Sequence, residues 1–206
     1  MKIFLDKVGK RYNYEWVFKA ISFQFHSGTS YAILGANGSG KSTLLQIIAG
    51  NLSPSEGKVN YTLHEKKIEV ENIFRSTGFS APYLELIEEF SLEEMISFHE
   101  KFKPFSPALS KNKVMEILGM EKSKGKMLKN FSSGMKQRVK LALALLSDVP
   151  VVLLDEPATN LDEQGVSWYK NLVNDFSKER LLIVCSNQLQ EYDFCKEQLN
   201  LHDFKG

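Results

Sequence analysis

A chain of 206 residues, 43% hydrophobic and 25% charged, is long enough for one compact domain with a sizeable core. Its formal net charge of +1 excludes bulk electrostatic attraction to nucleic acid or another polyanion as the basis of function. The longest apolar stretch, Leu141 to Pro157, is cut by Asp148 and Pro150, so no segment spans a bilayer, and the charges among the first twelve residues exclude a secretory leader there. Cys185 and Cys195 have no metal-ligand spacing and imply no disulfide framework, which suits a reducing compartment.

In chain order, the first features are three aromatics, Tyr12, Tyr14 and Trp16. Thr29 to Leu34 reads as a short buried strand that runs into GANGSGKST, Gly35 to Thr43, and then an apolar helix. Strand, glycine-rich loop and helix make a phosphate-binding loop, with Gly35, Gly40, Lys41 and Ser42 at its required positions. Gly35, Gly38 and Gly40 let successive backbone N–H groups face a phosphate, and the helix adds its positive end. Lys41 is expected to reach the β- and γ-phosphates and the Ser42 hydroxyl to ligate Mg²⁺; Asn37, Ser39 and Thr43 complete the candidate contacts.

Three helices are expected next. The first opens on Ser91 and Glu94 in a capping-box arrangement, and Lys111 to Met120 is a short second helix ended by Gly119. Phe131 to Leu146 is a third, with Lys136 and Arg138 in its first turns; Pro104 and Pro107 lie in a connecting loop. Val151 to Pro157 is a buried strand ending in two carboxylates. Asp155 is placed to hold Mg²⁺ opposite Ser42, and Glu156 to accept a proton from water attacking the γ-phosphate. Leu181 to Cys185 is another buried strand, delivering Ser186 and Asn187 to its polar tip. The remaining residues leave room for a last helix and strand.

Taken together, Gly35–Thr43, Phe131–Arg138, Val151–Pro157 and Leu161–Asp162 resemble the nucleotide-binding domain of ATP-binding-cassette (ABC) proteins, across essentially the whole chain. The resemblance implies an α/β fold: a P-loop NTPase, RecA-like ABC core with a mixed sheet, plus an α-helical subdomain. Residues 1–206 form one such domain, with the ATP-binding core about 1–82 and 148–206 and the helical subdomain about 85–147. It implies ATP and Mg²⁺ as cofactors. The family signature stands here as Phe131, Ser132, Ser133, Gly134, Met135, so Ser132, Ser133 and Gly134 are expected to meet the nucleotide held by a second cassette. Asp162 matches the loop that crosses between the two. Tyr12 matches the aromatic that stacks on adenine, with Tyr14 and Trp16 close enough to compete; stacking contributes about 1 kcal/mol.

Within the signature, Ser133 replaces a glycine and Met135 a glutamine, and two further places depart from the family. Asn187 stands where a histidine donates to the γ-phosphate. It reads either as a weakened phosphate sensor, by about 1 kcal/mol, or as the cap of a helix over Gln188–Cys195. The segment Ser76–Phe90 lacks the glutamine that ligates Mg²⁺; Ala81 or Pro82 occupies its place, and Leu84, Leu86, Ile87 and Phe90 are candidates for docking a membrane partner.

The resemblance implies an ATPase that drives transport through ATP-dependent dimerisation and hydrolysis. Its partners are a transmembrane permease on a separate chain and a second nucleotide-binding domain, as homodimer or heterodimer. No nucleic acid is expected, and the place is the cytoplasmic face of the membrane. The alternative is a nucleotide-gated assembly module with vestigial hydrolysis. A soluble member acting on ribosomes or DNA fits less well, given one cassette and almost no net charge.

Overall fold

The computed structural model describes residues 1–205. In chain order the elements are β1 (Lys2–Tyr12), β2 (Glu15–His26), β3 (Ser30–Leu34), α1 (Lys41–Ile48), β4 (Glu56–Leu63), β5 (Lys66–Ile68) and β6 (Thr77–Ser80). There follow α2 (Leu92–Phe102), α3 (Lys111–Leu118), α4 (Ser133–Leu146), β7 (Val151–Asp155), α5 (Glu163–Phe176), β8 (Leu181–Cys185) and β9 (Glu197–Asn200). Antiparallel and parallel pairing are both present, in separate sheets: β2-β1-β4-β5 is antiparallel and β6-β7-β8-β3-β9 is parallel.

The parallel sheet is buried on both faces, which is why its central strands are unbroken apolar runs. Alternate side chains feed two cores. Val151, Leu153, Leu181 and Ile183 meet α1 and the inner face of the antiparallel sheet, where Ile3, Leu5, Phe18, Ile21 and Phe25 lie. Val152, Leu154, Leu182 and Val184 meet a second cluster built from α2, α3, α4 and α5. The carboxyl ends of β3, β7 and β8 therefore open along one edge, the place where a parallel α/β sheet receives a ligand.

Local signals set the helix ends. The Ser91–Glu94 capping box is closed, with Glu94 Oε2 accepting from the Ser91 N–H at 2.8 Å and Ser91 Oγ from the Glu94 N–H at 3.3 Å. Gly119 ends α3 in the left-handed region, φ 65°. Met135 and the partly buried Leu86, Ile87 and Phe90 pack against the second cluster, so of the four docking candidates only Leu84 is exposed.

One expected element is absent. Gln188–Cys195 is not a helix; a single 3-10 turn, Leu189–Glu191, is followed by turns that lead into β9. Glu191 is drawn fully inside, and the Lys196 N–H donates to Ser30 O at 2.9 Å, so tertiary contacts pull the segment back along β3 before a helix can propagate.

The helix α4 crosses β6 at Gly78, where a Cβ would overlap the carbonyl of Ala144. Gly78→Ala should lower stability by about 1–3 kcal/mol, read as a lower urea midpoint at unchanged m-value.

Candidate functional site

The loop after β3 turns on Gly40, which caps α1 at φ 98°. A side chain there would also collide with Val17, which reaches in from β2, so this position takes glycine on two counts. Lys41, 5% exposed, folds back: its Nζ donates to Gly35 O at 2.8 Å and Ala36 O at 3.2 Å. Asn187 Nδ2 donates to Asn37 Oδ1 at 2.9 Å, tying the tip of β8 to the loop. Asn187 therefore does not cap a helix; Ser186 Oγ accepts from the Gln188 N–H at 2.8 Å instead.

Asp155 closes β7 at 1% exposure, and neither carboxylate oxygen has a hydrogen-bond partner. Burial pushes its carboxyl above the ordinary range; the Ser42 hydroxyl beside it lowers it, Glu156 raises it and Lys41 lowers it. A buried carboxylate without a donor is costly unless a cation meets it. Hard oxygen donors from Asp155 and Ser42, beside a triphosphate cradle, suit Mg²⁺.

Glu156 holds φ 42°, strained for a residue with a side chain, and its N–H donates to Cys185 O at 2.8 Å. The turn behind it is gripped from two sides. Gln137 of α4 donates from Nε2 to Pro157 O at 2.8 Å, and Glu191 Oε1 accepts from the Ala158 N–H at 2.9 Å. Burial pushes the Glu191 carboxyl up and the Cys185 thiol well up, leaving that thiol inert as a nucleophile.

Tyr12, Val17, Asn37, Gly38, Gly40, Lys41, Ser42, Thr43 and Glu156 line one cleft of about 400 Å³. Ser39 lies behind it, in an adjoining groove of about 380 Å³ that Tyr12 and Trp16 also line. Of the three aromatics, only Tyr12 lines both. Tyr14 is 96% exposed, and the Trp16 ring is taken by Lys19 and Arg11, at 4.9 and 5.6 Å. A larger cleft of about 490 Å³, near Gly28, Lys170 and Lys178, contains none of the motif residues and has no part in this chemistry.

The signature residues are elsewhere. Ser132, Ser133, Gly134, Met135, Arg138, Asn160, Leu161 and Asp162 line a second cleft of about 320 Å³. Ser132 Oγ accepts from the Met135 N–H at 3.2 Å as the cap of α4, and Asp162 Oδ1 accepts from the Gly165 N–H at 2.7 Å as the cap of α5. A Cβ on Gly134 would lie 2.8 Å from Asn160 O, so glycine lets the two segments touch. Arg138 Nε is buried without a partner while the guanidinium stacks 4.6 Å from the Trp168 ring; burial lowers its pKa and Asp162 raises it. One chain thus brings the phosphate loop, Asp155, Glu156 and Asn187 together, and leaves Ser132, Ser133, Gly134 and Asp162 apart from them.

Sequence reasoning missed Gln137, Glu191 and Tyr83. The last donates no motif signal, yet its hydroxyl accepts from Gln46 Nε2 at 3.2 Å, one turn along α1 from Ser42.

A family model described as ABC transporter matches residues 18–159. The uncharacterized ABC transporter ATP-binding protein YxlF of Bacillus subtilis is 28% identical over 198 residues, 95% of this chain; the chain spans 65% of its length. Among solved structures, a putative ABC transporter ATP-binding protein from Pyrococcus furiosus superposes with a TM-score of 0.84 at 23% identity, covering 100% of both chains. The dimeric bacterial ABC transporter cassette MJ0796 does so at 0.80 and 26% identity, over 97% of this chain and 94% of that one. A second structure of that cassette, dimeric and bound to ADP and Pi, gives 0.81 at 25% identity, over 98% of this chain and 94% of that one.

Because burial raises the Asp155 carboxyl, the folded chain gives up this proton at a higher pH than the unfolded chain, so this group's contribution falls as pH rises from 3.8 through the raised folded value. Asp155→Asn should therefore melt higher than the parent at pH 7 without nucleotide, and lose the stabilisation that added Mg²⁺ and ATP give the parent. Scanning calorimetry with and without EDTA reads both.

Proposed function

The chain belongs to the ABC transporter family, and on that premise we propose that it is the ATP-binding and hydrolysing subunit of a transporter, working as a pair of cassettes. One observation carries this reading: the phosphate-loop cleft and the signature cleft share no residue, so a single chain holds two half-sites. Two copies, or one copy and a related cassette, facing each other supply each loop with the other's Ser132, Ser133 and Gly134. The N-terminal end of α4 then meets the γ-phosphate across the interface, as helix ends capture anions. Asp162 orders the segment that crosses between them. The dimeric MJ0796 cassette is the matching architecture.

Within one half-site, Tyr12 offers its ring to adenine, and the N–H groups from Asn37 to Thr43 cradle the phosphates. Lys41 exchanges its two carbonyls for phosphate oxygens. Ser42 and Asp155 would hold Mg²⁺, which would supply positive charge to offset that of the triphosphate. Glu156 takes the proton of the attacking water; the bond from the γ-phosphorus to the bridging oxygen breaks, and ADP and phosphate leave. Asn187 faces the γ-phosphate from the tip of β8 as a neutral donor.

We retain the division into a core about 1–82 and 148–206 and a helical subdomain about 85–147. No helix among the described residues is long and apolar enough to cross a membrane. The partner in this reading is a transmembrane permease on a separate chain, with the cassette working at the cytoplasmic face of the membrane. Leu84, Phe98 and Phe102 are exposed close to the lid segment, and the Phe98 and Phe102 rings pack tilted with centroids 5.0 Å apart; they are the apolar surface offered to that partner.

Glu156→Gln should bind ATP as the parent does, lose turnover by roughly 10²–10⁴-fold, and elute as a dimer in excess magnesium ATP. Equal, slow turnover of parent and variant with the permease present would mark a nucleotide-gated assembly module instead. Asn187→His should raise turnover by up to about tenfold if the residue meets phosphate. An unchanged rate would confine it to bracing Asn37.

A further inference from the structure

The segment after β6 begins beside the strand that ends in Asp155, and it has no polar side chain at Ala81 or Pro82. Ala81 is fully buried, and the carbonyls of both residues accept from Lys140 Nζ of α4, at 3.1 Å each. The Leu84 N–H closes a tight turn onto Ala81 O at 3.2 Å. This bracing carries the next side chain, Tyr83, 48% exposed, to α1, where its hydroxyl accepts from Gln46 Nε2 at 3.2 Å. Gln46 lies four residues after Ser42, so the two share one helical face.

The inventory of the pair is specific. The Tyr83 oxygen accepts a hydrogen bond from Gln46 and keeps its own O–H to donate; Gln46 Oε1 keeps its capacity to accept. Neither atom has another partner among the described residues. Resting on the nucleotide-binding reading above, we propose that Tyr83 and Gln46 form a hydroxyl–amide wall on the lid side of the Ser42–Asp155 site, positioned to hydrogen-bond the water shell of Mg²⁺ bound with ATP.

The electrostatics agree. Burial raises the Tyr83 phenol, the bond from Gln46 lowers it, and the Asp155 carboxylate and Cys185 raise it further, so the hydroxyl lies within the field of the unpartnered carboxylate. Tyr83 is also the residue next to Leu84, at the edge of the exposed apolar surface. Because Lys140 clamps the carbonyls on its amino side, a change in Tyr83 on ligand binding reaches α4 directly.

The test is equilibrium binding of the non-hydrolysable analogue AMP-PNP to the full chain, in Mg²⁺ and in EDTA. Tyr83→Phe keeps the ring and removes only the hydroxyl. It should weaken binding in Mg²⁺ by about three- to tenfold and leave the metal-free affinity unchanged, and Gln46→Leu should do the same. Unchanged binding in Mg²⁺ for both variants overturns the proposal, and so does an equal loss in EDTA, which would mean the pair only supports the fold. A parent chain that binds no AMP-PNP in either condition overturns the nucleotide reading itself and the wall with it, a result distinct from the other two.

Discussion

The structure is organised around a negative charge that the protein alone does not satisfy. Asp155 sits at the end of a strand buried on both faces, with two carboxylate oxygens out of water and no donor for either. In a low-dielectric interior such a group is tolerable only where a cation comes to it. The architecture supplies the place: β7 runs between β6 and β8, so the lid segment lies to one side of Asp155 and the Ser186–Asn187 tip to the other. The phosphate loop completes the ring, since β3 neighbours β8.

A second theme is the reach of α4. Its amino end carries the signature residues, Gln137 in its second turn holds Pro157 O behind Glu156, and Lys140 one turn on holds Ala81 and Pro82. Three functional segments thus hang on one rigid rod, and Gly78 lets that rod lie against β6. On the paired-cassette reading proposed above, a displacement of the signature end would reach the carboxylate turn and the lid through these contacts.

Much of this was legible in the sequence where chemistry is local. The phosphate loop, the two carboxylates after an apolar run, the Ser91–Glu94 cap and the Gly119 stop each depend on neighbours within a few residues. What was hidden depends on distant partners. Nothing in QLQE says that Glu191 turns inward to meet Ala158, and that turn is what abolishes the expected helix over Gln188–Cys195. Tyr83 carried no signal because its meaning is the amide of Gln46, 37 positions away. Asp162 was read for its place in a motif, whereas its carboxylate is also occupied as a helix cap. Asn187 was read as phosphate-facing or as a cap; its actual partner is a side chain 150 positions earlier.

The lysine that lies across its own loop has a further implication. On the proposed reading, an arriving triphosphate would not meet a bare ammonium; it would have to win that group from Gly35 and Ala36. Capture is then a swap of partners, so the net affinity is far smaller than the gross attraction between the ions. The same arrangement eases departure, because the ammonium group has somewhere to return as the spent ligand leaves. A self-latching cradle of this kind favours release of a ligand over its storage.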